Sequence, residues 1–207
     1  MNLVKGYLKM VNETKSSSTR EKLKLQMQMS IDGFVSTGPN DDQSWVTLAL
    51  DEIHQDVLEL LDSIDTIIIG RKLAIDYIPF WQRTFTRPDD PMYGFAQRIV
   101  GVKKIVFTKT LDKSEWNNTE LAKGILVEEI KKLKNQSGKD IIVYCGSSFV
   151  SELIKEGLID EFHLFVNPIA LGNGVPIFDK LNNHLQLKLK SSKIYNCGIN
   201  LCTYDLI

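Results

Sequence analysis

IIVYCGSSFVSELIKEGLIDEF, residues 141–162, is the stretch whose reading decides the fold. An apolar run from Ile141 to Tyr144 stops at Cys145-Gly146, and two serines follow. Val150, Leu153 and Ile154 then recur at the three- and four-residue spacing of a helix face. This spacing predicts a helix from Ser147 to Glu156, closed by Gly157. Residues 161–169, EFHLFVNPI, read as the next strand. Strand, helix and strand in such short order belong to an α/β fold. The Gly-Ser-Ser turn has two readings. A serine can cap the new helix, or Gly146 can let a phosphate come close to the backbone at a helix start. The motif alone leaves both open.

The same alternation extends outward on both sides. Leu23, Leu25, Met27 and Met29 alternate with Lys24, Gln26 and Gln28, the period-two mark of a strand with one more polar face. Ser30 to Val35 form a turn and return, and TGPNDDQS, residues 37–44, is a polar loop. A helix is predicted over Val46 to Asp62. Asp65 to Gly70 is an apolar strand of the kind buried on both faces in parallel sheets. A short helix opens at Gly70-Arg71-Lys72 and stops near Pro79, with residues 79–91 as loop. Helix 91–102, strand 103–108, a surface excursion over 111–124 and helix 126–136 lead back to the opening stretch. Residues 185–190 and 199–206 read as antiparallel strands, with a turn near Asn196-Cys197-Gly198. The expected architecture is one three-layer α/β/α domain over residues 23–207. Its sheet is mostly parallel with an antiparallel C-terminal hairpin. Residues 1–22 form an N-terminal extension outside that core.

The chain of 207 residues has 25 Lys and Arg against 26 Asp and Glu, so no basic surplus asks for nucleic acid or an anionic membrane. No apolar run approaches the ~18 residues of a membrane span. Cys145, Cys197 and Cys202 are odd in number and lack short paired spacing, which argues against a disulfide framework and a zinc site. A reducing cytoplasm fits. His54, His163 and His184 lie far apart, so no metal site is expected.

Ligands of open α/β sheets bind past the carboxyl ends of the parallel strands. Three such ends carry suitable residues: Gly70-Arg71-Lys72, Thr108-Lys109, and Gly146-Ser147-Ser148-Phe149. Cations beside a pyrophosphate turn fit a further phosphate, such as that on the adenosine ribose of NADPH. Gly-x-Gly-x-x-Gly, P-loop and Gly-x-Ser-x-Gly motifs are absent, and Asp41-Asp42 and Asp89-Asp90 read as solvated turn residues.

The stretches QMQMSIDGFVS, TIIIGRKLAIDYIPFW, KKIVFTKTLD and residues 138–178 resemble the dihydrofolate-reductase-like superfamily. They are nearest the reductase half of the bifunctional deaminase-reductase of the riboflavin pathway. The deaminase half and its zinc signature are absent. The resemblance implies an NADPH-dependent reductase. Gly146, Ser147, Ser148 and Phe149 would cradle the pyrophosphate. Gly70, Arg71, Lys72, Thr108 and Lys109 would hold the adenosine side. Asp32 would orient the substrate or relay a proton, unless it merely pins its turn, and Phe34, Trp45 and Trp81 would border the substrate. It also implies a homodimer joined partly through C-terminal strands, and a substrate such as 5-amino-6-(5-phosphoribosylamino)uracil. Two departures stand out. Relatives carry two glycines or Gly-Ser where this chain has Cys145-Gly146, and Asp51 is one position off the carboxylate that serves dihydrofolate reductases. The alternatives are a dinucleotide-binding module without catalysis and a dihydrofolate reductase proper.

Overall fold

Ile67, Ile68 and Ile69 are each fully buried, because their strand is covered on both faces. That strand is third of eight in the central sheet of a computed structural model describing residues 22–38, 42–47 and 50–207. In chain order the elements are β1 (Leu23–Ser30), β2 (Phe34–Ser36), α1 (Leu50–Asp62), β3 (Ile64–Gly70) and α2 (Arg71–Phe85). Next come α3 (Tyr93–Gly101), β4 (Lys103–Phe107), β5 (Thr119–Ala122), α4 (Leu126–Lys134), β6 (Asp140–Tyr144) and α5 (Ser147–Lys155). The chain ends with β7 (Glu161–Asn167), β8 (Val175–Pro176), β9 (Leu187–Ile194) and β10 (Asn200–Leu206).

The sheet order is β5-β4-β3-β6-β1-β7-β10-β9. The strands from β5 to β7 run parallel, and β10 and β9 close the far side antiparallel. The chain steps from β1 through β3 to β4 in one direction, with α1, α2 and α3 on one face. It steps from β5 through β6 to β7 in the other direction, with α4 and α5 on the opposite face. Right-handed crossovers require this division. The result is the expected three-layer α/β/α fold.

Several local expectations are corrected. Pro79 does not stop α2, which continues to Phe85. The hydrogen bond a proline forfeits is to the carbonyl four residues back, here that of Ile75, whose residue is exposed, so water can satisfy it. The excursion over 111–124 contains β5, a short edge strand paired with β4. β8 escaped notice because it has two residues, and it pairs with β2 beside the sheet. The N-terminal extension lies outside the described residues, apart from Lys22. Among the described residues the cysteines are free thiols, and no helix is long and apolar enough to cross a membrane.

Candidate active site at the carboxyl edge of the sheet

After β3 the chain turns toward β4, and after β6 it turns toward β7. Adjacent strands whose connections leave in opposite directions open a crevice at their carboxyl ends. Gly70 and Cys145 meet there: a Cβ added to Gly70 would lie 3.9 Å from Cys145 Sγ. The thiol donates to the carbonyl of Ile68 at 3.6 Å. Burial pushes it well above its ordinary pKa, so Cys145 is a neutral packing residue.

Gly146 caps α5 with φ −62° and ψ 158°. It is exposed, as is Ser148, while Ser147 is buried. Phe149 packs edge-on against Phe107 with ring centroids 5.2 Å apart, which ties the start of α5 to the end of β4. The first turns of α2, α3 and α5 hold no acidic residue, and of these α2 and α5 start at the crevice. Those of α1 and α4 each hold two, Asp51 and Glu52, Glu128 and Glu129. A helix start favours anions. At the crevice the chain leaves that preference to something else, and α2 even opens with two cations, Arg71 and Lys72. Arg71, Lys72 and Lys109 make no ion pair to a described residue. Thr108 is buried, and its hydroxyl accepts hydrogen bonds from the backbone N–H groups of Thr110 and Leu111, both at 3.1 Å. The strand register therefore places Thr108-Lys109, Gly70-Arg71-Lys72 and the Gly146 turn side by side on β4, β3 and β6.

Asp32 stands farther along, past the end of β1. Its carboxylate accepts from the Ser30 hydroxyl at 2.6 Å and from the N–H groups of Leu171 and Gly172 at 3.1 and 2.7 Å. Those hydrogen bonds, the serine's first, hold its pKa down at about 2. The exposed carboxylate thus clasps the 30–34 turn to the loop after β7. Gly33 permits the turn, with φ +90°. Phe34 is half-buried in β2 against Gly174, where an added Cβ would lie 2.9 Å from Phe34 Cβ. Trp45 lies in segment 42–47, with its indole Nε1 buried and without a partner. That segment is tied down by Gln43 Nε2, which donates to Val35 O at 2.8 Å, and by Thr47 N–H, which donates to Asn167 Oδ1 at 3.3 Å. Trp81 is not brought to this edge. It is buried inside α2 against Tyr77 and Phe95.

Four polar residues beside the site escaped the sequence reading. On the α1 face, β1 presents Gln26 and Gln28, both half-buried. The Tyr144 hydroxyl donates to Gln26 Oε1 at 2.6 Å, and Asn167 Nδ2 donates to Gln28 Oε1 at 2.8 Å. The alternation of β1 was the available signal, since a polar face on a central strand demands a reason. A recess of about 620 Å³ is lined by Phe178, Leu181, His184 and their neighbours. It is built from one stretch, residues 178–187, that runs into β9, and none of the residues above lines it. Among the described residues, no three of His, Cys, Asp and Glu cluster as metal ligands.

Residues 21–201 match the family model described as the RibD C-terminal domain. The chain belongs to that family. Among its relatives is the uncharacterized protein YyaP of Bacillus subtilis, 31% identical over 182 residues, which cover 87% of this chain and 92% of YyaP. The fold of this RibD C-terminal domain protein recurs in a deaminase/5-amino-6-(5-phosphoribosylamino)uracil reductase of Thermotoga maritima. That match has a TM-score of 0.65 and 18% identity, over 91% of this chain and 57% of that one. It recurs also in a dihydrofolate reductase of Enterococcus faecalis complexed with NADP(H), with a TM-score of 0.56 and 14% identity, over 89% of this chain and 96% of that one.

Proposed function

We propose that this protein is an NADPH-dependent reductase acting on a small heterocyclic or sugar-linked substrate of the 5-amino-6-(5-phosphoribosylamino)uracil kind. One observation carries the reading. The acid-free starts of α2 and α5 and the cations Arg71, Lys72 and Lys109, without an ion pair among the described residues, stand in a row across β6, β3 and β4. Two strand steps of about 4.8 Å separate the outermost of these, a run suited to a pyrophosphate and one further phosphate beside it. The amides at Gly146 to Phe149 would take the pyrophosphate. Arg71, Lys72 and Lys109, with Thr108 and Gly70, would take the adenosine side and its extra phosphate. When bound, NADPH supplies the hydride. The chain's own residues orient and shield. Asp32, ionised at neutral pH, sets the corner where the ring lies rather than giving up a proton. Phe34 and Trp45 border it, and Ile31, 64% exposed, offers an apolar side there.

NADPH titration followed by cofactor fluorescence tests the reading. Gly146 has φ −62°, which any residue adopts, so Gly146→Asp should fold. A carboxylate facing the pyrophosphate should weaken NADPH binding by roughly a hundredfold. Unchanged affinity would contradict the assignment. Binding without turnover across pteridine, pyrimidine and carbonyl panels would favour the non-catalytic dinucleotide module. Dihydrofolate reductase proper is disfavoured by α1. Asp51 is exposed, and Glu52, Asp56, Glu59 and Asp62 bond to Cys197, Lys193, Gln55 and Arg98 respectively. The homodimer belongs to the same proposal: β9 ends the sheet with Leu189 54% and Ile194 78% exposed, and a second copy there would cover them. Sedimentation of wild type against Leu189→Lys measures it.

A further inference from the structure

β1 is fifth of eight strands, and its Leu23, Leu25, Met27 and Met29 are buried in the apolar core on the α5 face. A central parallel strand ordinarily carries apolar residues on its other face too. Here that face carries Lys24, Gln26 and Gln28, and β7 beside it carries Glu161, His163 and Asn167, with Phe165 between the last two, opposite Gln28. The apolar packing of the α1 face is correspondingly split. One cluster gathers Leu60, Ile67, Ile69 and Ile142, and the other Ile53, Phe165, Ile199 and Leu201. Between them runs a polar seam. Its amino end is sealed by charge: Lys24 Nζ reaches Asp140 at 2.9 Å and Ser63 Oγ at 2.9 Å, and Glu161 takes Lys22, Lys190 and His163. Its carboxyl end holds amides, next to Ser30 and the Asp32 corner.

The orientation of two of those amides, Asn167 and Gln28, is fixed by their partners. Asn167, 1% exposed, donates through Nδ2 to the carbonyls of Phe165 at 3.2 Å and Met29 at 3.4 Å, and its Oδ1 accepts from Thr47 N–H. Carbonyl oxygens only accept, so Asn167 cannot be turned around. The atom of Gln28 that faces it must therefore be the oxygen. Gln28 Nε2 is turned away, and among the described residues it donates to nothing. Gln26 Nε2 likewise has no acceptor there, its oxygen being engaged by Tyr144. Both nitrogens stay open to solvent, so each is free to meet an acceptor from outside the chain. Resting on the reductase reading, we infer that Gln28 is a specificity-determining residue. Its amide nitrogen donates to an acceptor atom, a carbonyl oxygen or unprotonated ring nitrogen, on the substrate ring. Asn167 is the positioning residue that aims it.

The test titrates full-length protein with 5,6-diaminouracil by calorimetry, with and without NADPH. Wild type should bind about tenfold or more tightly than Gln28→Leu and Gln28→Glu, with NADPH affinity kept within about twofold. Asn167→Asp keeps the shape but places an acceptor against Gln28 Oε1, so Gln28 should swing its nitrogen inward. The loss should match that of Gln28→Leu, and combining the two changes should add nothing further, whereas a merely structural role would add its own loss. Equal affinity in wild type and the Gln28 variants, including no binding by any, overturns the inference. Failure of NADPH to bind wild type overturns the reductase reading instead, and the cofactor-free titration still decides the role of Gln28.

Discussion

The two faces of the sheet solve different problems. On the α5 face, residues of β1, β6, β7, α4 and α5 form one continuous dry cluster that includes Leu25, Ile141, Leu153 and Phe162. On the α1 face the apolar layer is in two pieces, and polar side chains occupy the seam and its margin: Lys24, Gln26, Gln28, Glu161, Asn167 and, under the end of α3, Lys104. Buried polar groups contribute little net stability and are expensive when left unpaired. A face that accepts so many gives up cohesion for something else. The division teaches where to look for chemistry. One face holds the fold together, and the other carries a polar seam from a sealed ionic end toward the edge where Asp32, Gly70 and Gly146 stand.

The sharpest way to break this comparison is to cut into the dry face. Phe162 is 1% exposed and packs near Phe178, ring centroids 6.3 Å apart. Phe162→Ala should cost about 4 kcal/mol in urea unfolding. A loss below about 1 kcal/mol would mean this face is not the main source of cohesion. The sealed end of the seam comes next. The Glu161 side chain is 3% exposed and contacts Lys22, Lys190 and His163 within 2.7 Å. Burial alone would raise its pKa, but the hydrogen bonds from His163, Lys190 and Lys22 outweigh it and hold the carboxyl well below the usual range. Its contribution is therefore present above the unfolded carboxylate pKa near 4.3, and is lost as pH falls below that toward the depressed native value. Glu161→Gln should cost about 2 kcal/mol at pH 7, less than the ~3–5 kcal/mol of a fully buried broken pair because Lys22 and Lys190 reach solvent. The difference from wild type should shrink as acid is added.

Much of this was legible beforehand because the signals were local. The isoleucine run of β3, the alternation of β1 and the Gly157 stop of α5 state their conformations within a few residues, and Gly157 does adopt φ +62°. The row of cations and the Gly-Ser-Ser turn could be placed on one edge because parallel strands all present their carboxyl ends to the same side. Trp81 could not be placed, since Pro79 reads as a stop and only packing beneath α2 keeps the helix going past it. β5 and β8 have too few residues to show a period. Asn167 was hidden for another reason. It sits beside a proline in the sequence, and its worth lies in partners more than a hundred residues away, Thr47 and Gln28.

Two smaller effects sharpen the contrast on the α1 face itself. Lys104 is 3% exposed, donates to the carbonyls of Ile99 at 3.2 Å and Val100 at 2.9 Å, and burial lowers its pKa to about 8. Because the native pKa lies below the unfolded one, the unfolded chain binds more protons between about pH 8 and 10.4, and this group adds stability as pH rises through that window. The gain should be about 1–2 kcal/mol once its two carbonyl partners are allowed for, and Lys104→Met should abolish it. Gln28→Leu should have the least effect of all on unfolding, under about 1 kcal/mol, because Asn167 keeps two carbonyl acceptors and a leucine would join the apolar clusters on either side. That small number discriminates most. If Gln28→Leu unfolds the protein as readily as Phe162→Ala, the seam is part of the load-carrying core and the two faces do not differ in kind. If stability holds while 5,6-diaminouracil affinity falls, the polar face is kept for the ligand and not for the fold.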